Sequence, residues 1–176
     1  MISSFPSTPR LRLLYVITVA SCGGAQTHVL ELLRAAAARF SVGLATGQDG
    51  FLADEARQMG IPVFIIPSLV VPVAPIQDCR ALASLIRITR EFRPDLIHAH
   101  SSKAGTLARM AARVCGVASV FTAHGWAFTD GVPWPRRFIA LGCEHAISPC
   151  SDVIITVSEH DRRLALQHGL VPPQML

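Results

Sequence analysis

Leu11-Arg12-Leu13-Leu14-Tyr15-Val16-Ile17-Thr18-Val19-Ala20-Ser21-Cys22-Gly23-Gly24-Ala25-Gln26-Thr27-His28 is the stretch that decides the fold. Its first half is a short run of branched and aliphatic side chains, the composition of a buried strand. The glycine pair interrupts that run, and an amphipathic helical pattern begins directly after Gly24. Strand, glycine turn, helix is the opening of a βα unit. The alternation continues outward: strands are expected near 11–19, 40–46, 62–66, 95–99, 118–123 and 152–157. Helices are expected near 25–38, 51–59, 77–92, 102–115, 136–148 and 159–168. The third carries Leu82, Leu85, Ile86, Thr89 and Phe92 on one stripe, as a period of 3.6 requires. Val153-Ile154-Ile155-Thr156-Val157 is apolar on both faces, which suits a parallel sheet covered by helices on each side. The expected architecture is a doubly wound, mostly parallel α/β sheet of six strands, Rossmann-like, in three α/β/α layers. Right-handed crossovers place every strand-to-helix turn along one edge, so ligand chemistry is sought at the carboxyl ends of the strands.

The chain has 176 residues, the size of one domain. Residues 1–10 read as a disordered lead-in, 11–170 as the domain, and 171–176 as the start of a connector to a further domain. The last helix opens on the capping box Ser158-Glu159-His160-Asp161 and closes at Gly169. The net charge of +4 is scattered without a basic run, so nucleic acid is not an expected partner. The sixteen basic residues are all arginine except Lys103. Five widely spaced cysteines without a C-x-x-C pair suggest reduced thiols in a cytoplasmic protein. Arg10 and Arg12 before Leu13–Val19 and Ala20-Ser21-Cys22 imitate a lipoprotein signal, but the apolar run is short and a helix follows at once. The apolar segment 61–75 contains Pro62, Pro67, Pro72 and Pro75 and cannot span a bilayer as a helix. His98 and His100 share a strand face without an evident third ligand, so no metal site is expected.

Three strand tips carry polar chemistry. At the first, Gly23-Gly24 lets the chain turn and aims helix-start N–H groups outward, a site for phosphate or diphosphate; a tight turn that binds nothing is the alternative. The dinucleotide pattern G-x-G-x-x-G is absent and Asp49 lies too far into its loop to hold a ribose, which disfavours NAD. The fourth tip, His98-Ala99-His100-Ser101-Ser102-Lys103-Ala104-Gly105, gathers imidazole, hydroxyls and the one ammonium at a helix start. One of Ser101 and Ser102 is expected as a plain N-cap, and His98 is expected to pack in the sheet. Lys103 opposes the helix dipole, a cost that an anionic or hydroxyl-rich ligand would offset. The fifth tip ends Thr122-Ala123-His124-Gly125-Trp126, where His124 can exchange a hydrogen bond with a sugar hydroxyl and Gly125 permits close approach; a histidine satisfied by a carbonyl is the alternative. The loop beyond, with Trp126, Phe128, Asp130, Trp134, Arg136 and Arg137, has the composition of an acceptor wall or a membrane-facing patch.

With these tips in this order, the chain resembles the N-terminal domain of family 4 retaining glycosyltransferases of the GT-B fold, over nearly all of residues 11–176. The resemblance rests on Gly23-Gly24-Ala25-Gln26-Thr27-His28, on Asp95-Leu96-Ile97-His98-Ala99-His100 and on Ser151-Asp152-Val153-Ile154-Ile155-Thr156-Val157-Ser158. The Ser101–Gly105 and His124-Gly125 forms are most similar to bacterial capsule and exopolysaccharide enzymes. That likeness implies two Rossmann-like domains facing across a cleft, with Gly23 and Gly24 at the donor diphosphate and His124 at the transferred sugar as the catalytic residue. His100, Ser101, Ser102, Lys103, Gly125 and Trp126 would line the acceptor and sugar side.

The family transfers sugar from a nucleotide-diphosphate sugar with retained configuration and without a metal or other cofactor, and no D-x-D motif occurs here. The acceptor would be a glycan or a lipid-linked glycan, met at the inner face of the membrane through the aromatic-basic loop and loop 67–75. Donor-holding glutamates belong to the family's second domain, so this chain alone is expected to be inactive. An NAD-dependent oxidoreductase domain and a non-catalytic carbohydrate-binding module remain as alternatives.

Overall fold

The structure, a computed structural model, describes residues 10–129, 131–170, 172 and 175. In chain order the elements are β1 (Arg12–Ile17), α1 (Gly24–Ala37), β2 (Ser41–Thr46), α2 (Phe51–Gln58), β3 (Val63–Ile65), α3 (Pro75–Phe92), β4 (Leu96–His100), α4 (Ser102–Cys115), β5 (Ala118–Ala123), α5 (Trp134–Ile147), β6 (Val153–Thr156) and α6 (Glu159–Gln167). Each element expected from the sequence is present. Helices α3 and α5 start earlier than their apolar periodicity suggested, because Pro75 and Pro135 sit in a first turn, where a missing N–H leaves no bond unmade. The lead-in up to residue 9, and Val171, Pro173, Gln174 and Leu176 of the expected connector, lie outside the described residues.

The strands pair in the order β3-β2-β1-β4-β5-β6, every neighbour parallel. Winding proceeds one way from β1 to β3 and the other way from β4 to β6, so the switch point lies between the carboxyl ends of β1 and β4. On one face Tyr15, Ile17 and Leu44 pack against Val29, Leu30 and Leu33 of α1 and Leu52 of α2. On the other, Leu14, Val16, Ile97, Ala99 and Phe121 pack against Leu85 and Ile88 of α3 and the alanine-rich stripe of α4. Small residues let α4 approach the sheet closely: a Cβ placed on Gly105 would lie 2.7 Å from Phe121 Cδ2.

The sheet is not covered everywhere. Val153 and Ile155 of β6 are 41% and 43% exposed, against the expectation of two dry faces. As the edge strand, β6 is covered on one side only, where Leu164 and Ala165 of α6 join the cluster under α4. The hydroxyl of Ser158 caps α6 as the sequence indicated, accepting from the Asp161 N–H at 3.1 Å. Among the described residues no helix is long and apolar enough to cross a membrane.

Candidate functional site

The strand register assembles the site. Pairing of β1 with β4 sets Tyr15 beside His98 and Ile17 beside His100, and pairing of β4 with β5 sets His100 beside Thr122. His124 follows Thr122 by two residues, and its Nε2 lies 3.1 Å from His100 Nδ1. From α1, one helical turn beyond Gly24, the exposed His28 places its ring edge-on to His124 at 5.3 Å between centroids. The His98 ring lies tilted to that of His100, 4.3 Å between centroids, and shares a 2.8 Å hydrogen bond with Thr122 Oγ1 through its Nε2, packing in the sheet as anticipated. Four imidazoles from three elements thus meet where α1 begins.

Burial sets their charge. His100 is fully buried, and desolvation first, then its histidine neighbours, lower its pKa to about 2. The same causes lower His98 to about 4. The half-buried His124 is also lowered, by burial and then by His28. At neutral pH His98, His100 and His124 are therefore neutral donors and acceptors. Among the described residues no three histidine, cysteine or carboxylate side chains are grouped to hold a metal ion.

The glycine pair acts differently from expectation. Gly23 has φ 179, extended backbone that any residue adopts, so the turn itself does not require glycine. A Cβ on Gly24 would meet nothing within 4 Å. Clearance is at Gly24 alone, since a Cβ on Gly23 would lie 2.6 Å from Gln26 Oε1; α1 starts without a side-chain cap and without an acidic residue in its first turn, which leaves leading N–H groups unpaired within the helix.

At the fourth tip the structure redistributes roles. Ser101 occupies the N-cap position of α4 at φ 66, ψ 149, a strained conformation for a residue with a Cβ, yet its hydroxyl does not cap the helix. The cap comes from Thr18 at the tip of β1, whose Oγ1 accepts from Ala104 N–H at 3.2 Å and shares a 2.8 Å hydrogen bond with Ser101 Oγ. Ser102 is exposed at the helix start.

Three expectations need correction. Lys103 does not wait for a ligand: its Nζ donates to Asp78 Oδ1 and to the Pro72 carbonyl, both at 2.6 Å, so Asp78 offsets the dipole cost. His100 has no exposed surface and cannot touch an acceptor itself. Trp126 is 4% exposed, stacks on the buried Phe128 and donates its indole N–H to the Asp161 carbonyl, so it is core and not a wall. Gly125 is exposed at φ 114, a left-handed value that suits glycine, and Asp130 lies outside the described residues.

Residues 22–175 match the profile of Glycosyltransferase Family 4. The chain belongs to that family. Two Escherichia coli enzymes are among its relatives. One is UDP-Gal:alpha-D-GlcNAc-diphosphoundecaprenol alpha-1,3-galactosyltransferase, 28% identical over 78% of this chain and 36% of that protein. The other is the O-antigen biosynthesis glycosyltransferase WbnH, 27% identical over 92% of this chain and 46% of that protein. The chain therefore spans less than half the length of these relatives. The fold is shared with Anabaena Alr3699/HepE in complex with UDP and glucose, at a TM-score of 0.71, 16% identity, 94% of this chain and 43% of that one.

In this family 4 domain a cavity of about 710 Å³ adjoins the fourth tip, lined by Val71, Val73, Ser102, Lys103, Leu107 and Ile139 among others. Around it Val71, Val73, Ile76, Trp134, Phe138 and Ile139 expose apolar side chains, so the aromatic surface foreseen after the fifth tip lies on α5. A second cavity, of about 450 Å³, lies at the opposite edge of the sheet beside Arg113, Gly116 and Asp152, far from the histidines. Sequence reasoning missed His28 and Thr18 as site residues. The spacing of Gly24 and His28, four apart on one helix, was the available signal for the first; for Thr18 there was none. It also missed the pair of Arg109 and Glu144, which joins α4 to α5 at 2.9 Å with the guanidinium wholly buried and 4.3 Å over the Phe121 ring.

Proposed function

We propose that this domain is the acceptor-side half of a retaining glycosyltransferase that moves a sugar from a nucleotide-diphosphate sugar to a glycan or lipid-linked acceptor during bacterial surface polysaccharide synthesis. The observation that carries this is the contact of His28 with His124, which brings the uncapped start of α1 to the half-buried imidazole of His124. Helix N–H groups there suit a diphosphate. His124 then lies within reach of the sugar attached to it. Gly23 and Gly24 form the diphosphate wall, His124 contacts the transferred sugar, and Ser101, Ser102 and Gly125 border the acceptor, Ser102 also lining the 710 Å³ cavity. Stabilisation of charge on the departing diphosphate falls to these N–H groups and to the opposing domain, with no metal or other cofactor. The carboxylate of Asp49 is tied to Arg57, which further disfavours a ribose role and the oxidoreductase alternative.

The acceptor reaches the site from a membrane surface. Trp134, Phe138 and Ile139 present an apolar patch bordered by Arg136 and Arg137, a composition suited to anionic lipid. Retention by vesicles with anionic lipid at low salt, absent with neutral vesicles, supports docking; equal elution with both overturns it. For the reaction, the domain joined to a donor-binding second half should transfer sugar from a nucleotide sugar, and the 176-residue chain alone should not. Failure of the joined protein with every nucleotide sugar and polyprenyl-diphosphate glycan tried would favour a non-catalytic carbohydrate-binding module.

A further inference from the structure

His100 poses a problem that sugar binding does not solve. Its side chain is wholly buried at the end of β4, one ring nitrogen faces His124, and the other, Nε2, has no hydrogen-bond partner among the described residues. A neutral imidazole carries one N–H and one lone pair. The 3.1 Å contact between His100 Nδ1 and His124 Nε2 needs one of each, so two arrangements exist. In the first, His100 Nδ1–H donates to His124 Nε2, and His100 Nε2 is left as a bare lone pair. In the second, His124 Nε2–H donates to His100 Nδ1, and His100 must carry its own proton on the orphaned Nε2. A buried N–H without an acceptor is the worse of the two defects and is rarer in folded proteins than an under-used acceptor. The first arrangement is therefore the one this buried site favours. A shared extra proton would remove the choice, but both rings are held neutral by burial.

We infer that His100 is a positioning residue that locks His124 in the Nδ1–H tautomer, so that His124 offers its ligand a hydrogen-bond donor and not a proton acceptor. With Nε2 of His124 engaged by His100, Nδ1 is the only ring nitrogen left for a ligand. The ligand atom it selects is an oxygen with a lone pair, such as a sugar hydroxyl or a phosphoryl oxygen. No proton leaves the protein in this role, and none is taken up. The relevance to sugar transfer rests on the function proposed above; the tautomer itself does not.

The test begins on the chain as it stands. Two-bond 15N–1H correlation on 15N-histidine-labelled protein at neutral pH, with assignments from single variants, should show protonated Nδ1 and bare Nε2 for both His100 and His124. Protonated Nε2 on His124, or a rapid average of its two forms, overturns the inference. In the joined enzyme His100→Asn keeps an amide N–H near the place of Nδ1 and should retain kcat within about threefold. His100→Leu frees the tautomer and should lower kcat on the order of fivefold or more with KM little changed. Equal kcat for the two folded variants also overturns it. If the leucine variant does not fold, the wild-type spectrum and the asparagine variant decide. The expected spectrum without any transfer by the joined enzyme would refute the transferase function and leave the tautomer lock standing.

Discussion

Acidification from pH 7 to pH 5 should destabilise this domain by about 4 kcal/mol, and the cause is the histidine cluster. His98 and His100 have pKa values of about 4 and about 2 in the folded chain, chiefly through burial, against the ordinary 6.5 of an unfolded histidine. The unfolded chain therefore binds protons in this window that the folded chain refuses. Stability is full above about pH 6.5 and is lost as pH falls toward the folded values. At pH 5 the unfolded form lies about 1.5 units below its pKa, so each histidine contributes a loss of about 2 kcal/mol. Lowered His124 acts in the same direction. Against a total of about 5–15 kcal/mol for a domain of this kind, that is a large fraction. Urea unfolding followed by circular dichroism at the two pH values measures it, and His100→Asn should remove about half of the difference. Equal or greater stability at pH 5 would refute the claim that these rings are buried neutral.

Three substitutions probe the frame around the site. Gly105→Ala gains about 1 kcal/mol of helix propensity but drives a methyl into Phe121, which the Arg109 guanidinium backs at 4.3 Å, so a net loss of about 1–2 kcal/mol is expected in thermal unfolding. Glu144→Ala leaves the fully buried Arg109 guanidinium without its carboxylate and should cost about 3–5 kcal/mol in urea unfolding, whereas a double Arg109→Met, Glu144→Leu replacement should recover most of it. Gly24→Val meets open space and should change stability by less than about 1 kcal/mol. The same side chain blocks the start of α1, so KM for the nucleotide sugar in the joined enzyme should rise about tenfold or more, read from initial rates.

The fold was legible because its signals are local: each strand is a short apolar run, each helix a periodic stripe, and glycine or proline marks nearly every junction. The bare face of β6 was not, since the apolar run 153–157 reads the same on an edge strand as on a central one. At the site, Gly24 and His124 were visible as strand-tip residues, but their proximity depends on the register that sets His100 beside Thr122. Lys103 looked like a free cation because Asp78, its partner, lies 25 residues away on another helix. Trp126 looked like a wall because aromatic content cannot tell a loop that folds inward from one that faces solvent. Its indole finds the Asp161 carbonyl only once α6 has packed.

The central claim is that His124, at the edge of the cluster, contacts the transferred sugar. Single-turnover transfer by the joined enzyme with His124→Ala tests it most directly, provided the variant unfolds at the same urea concentration as the parent. Removal of one aligned donor predicts a rate about 100-fold lower at saturating nucleotide sugar. A rate within about twofold of the parent would contradict the assignment of this tip as the place where sugar transfer occurs.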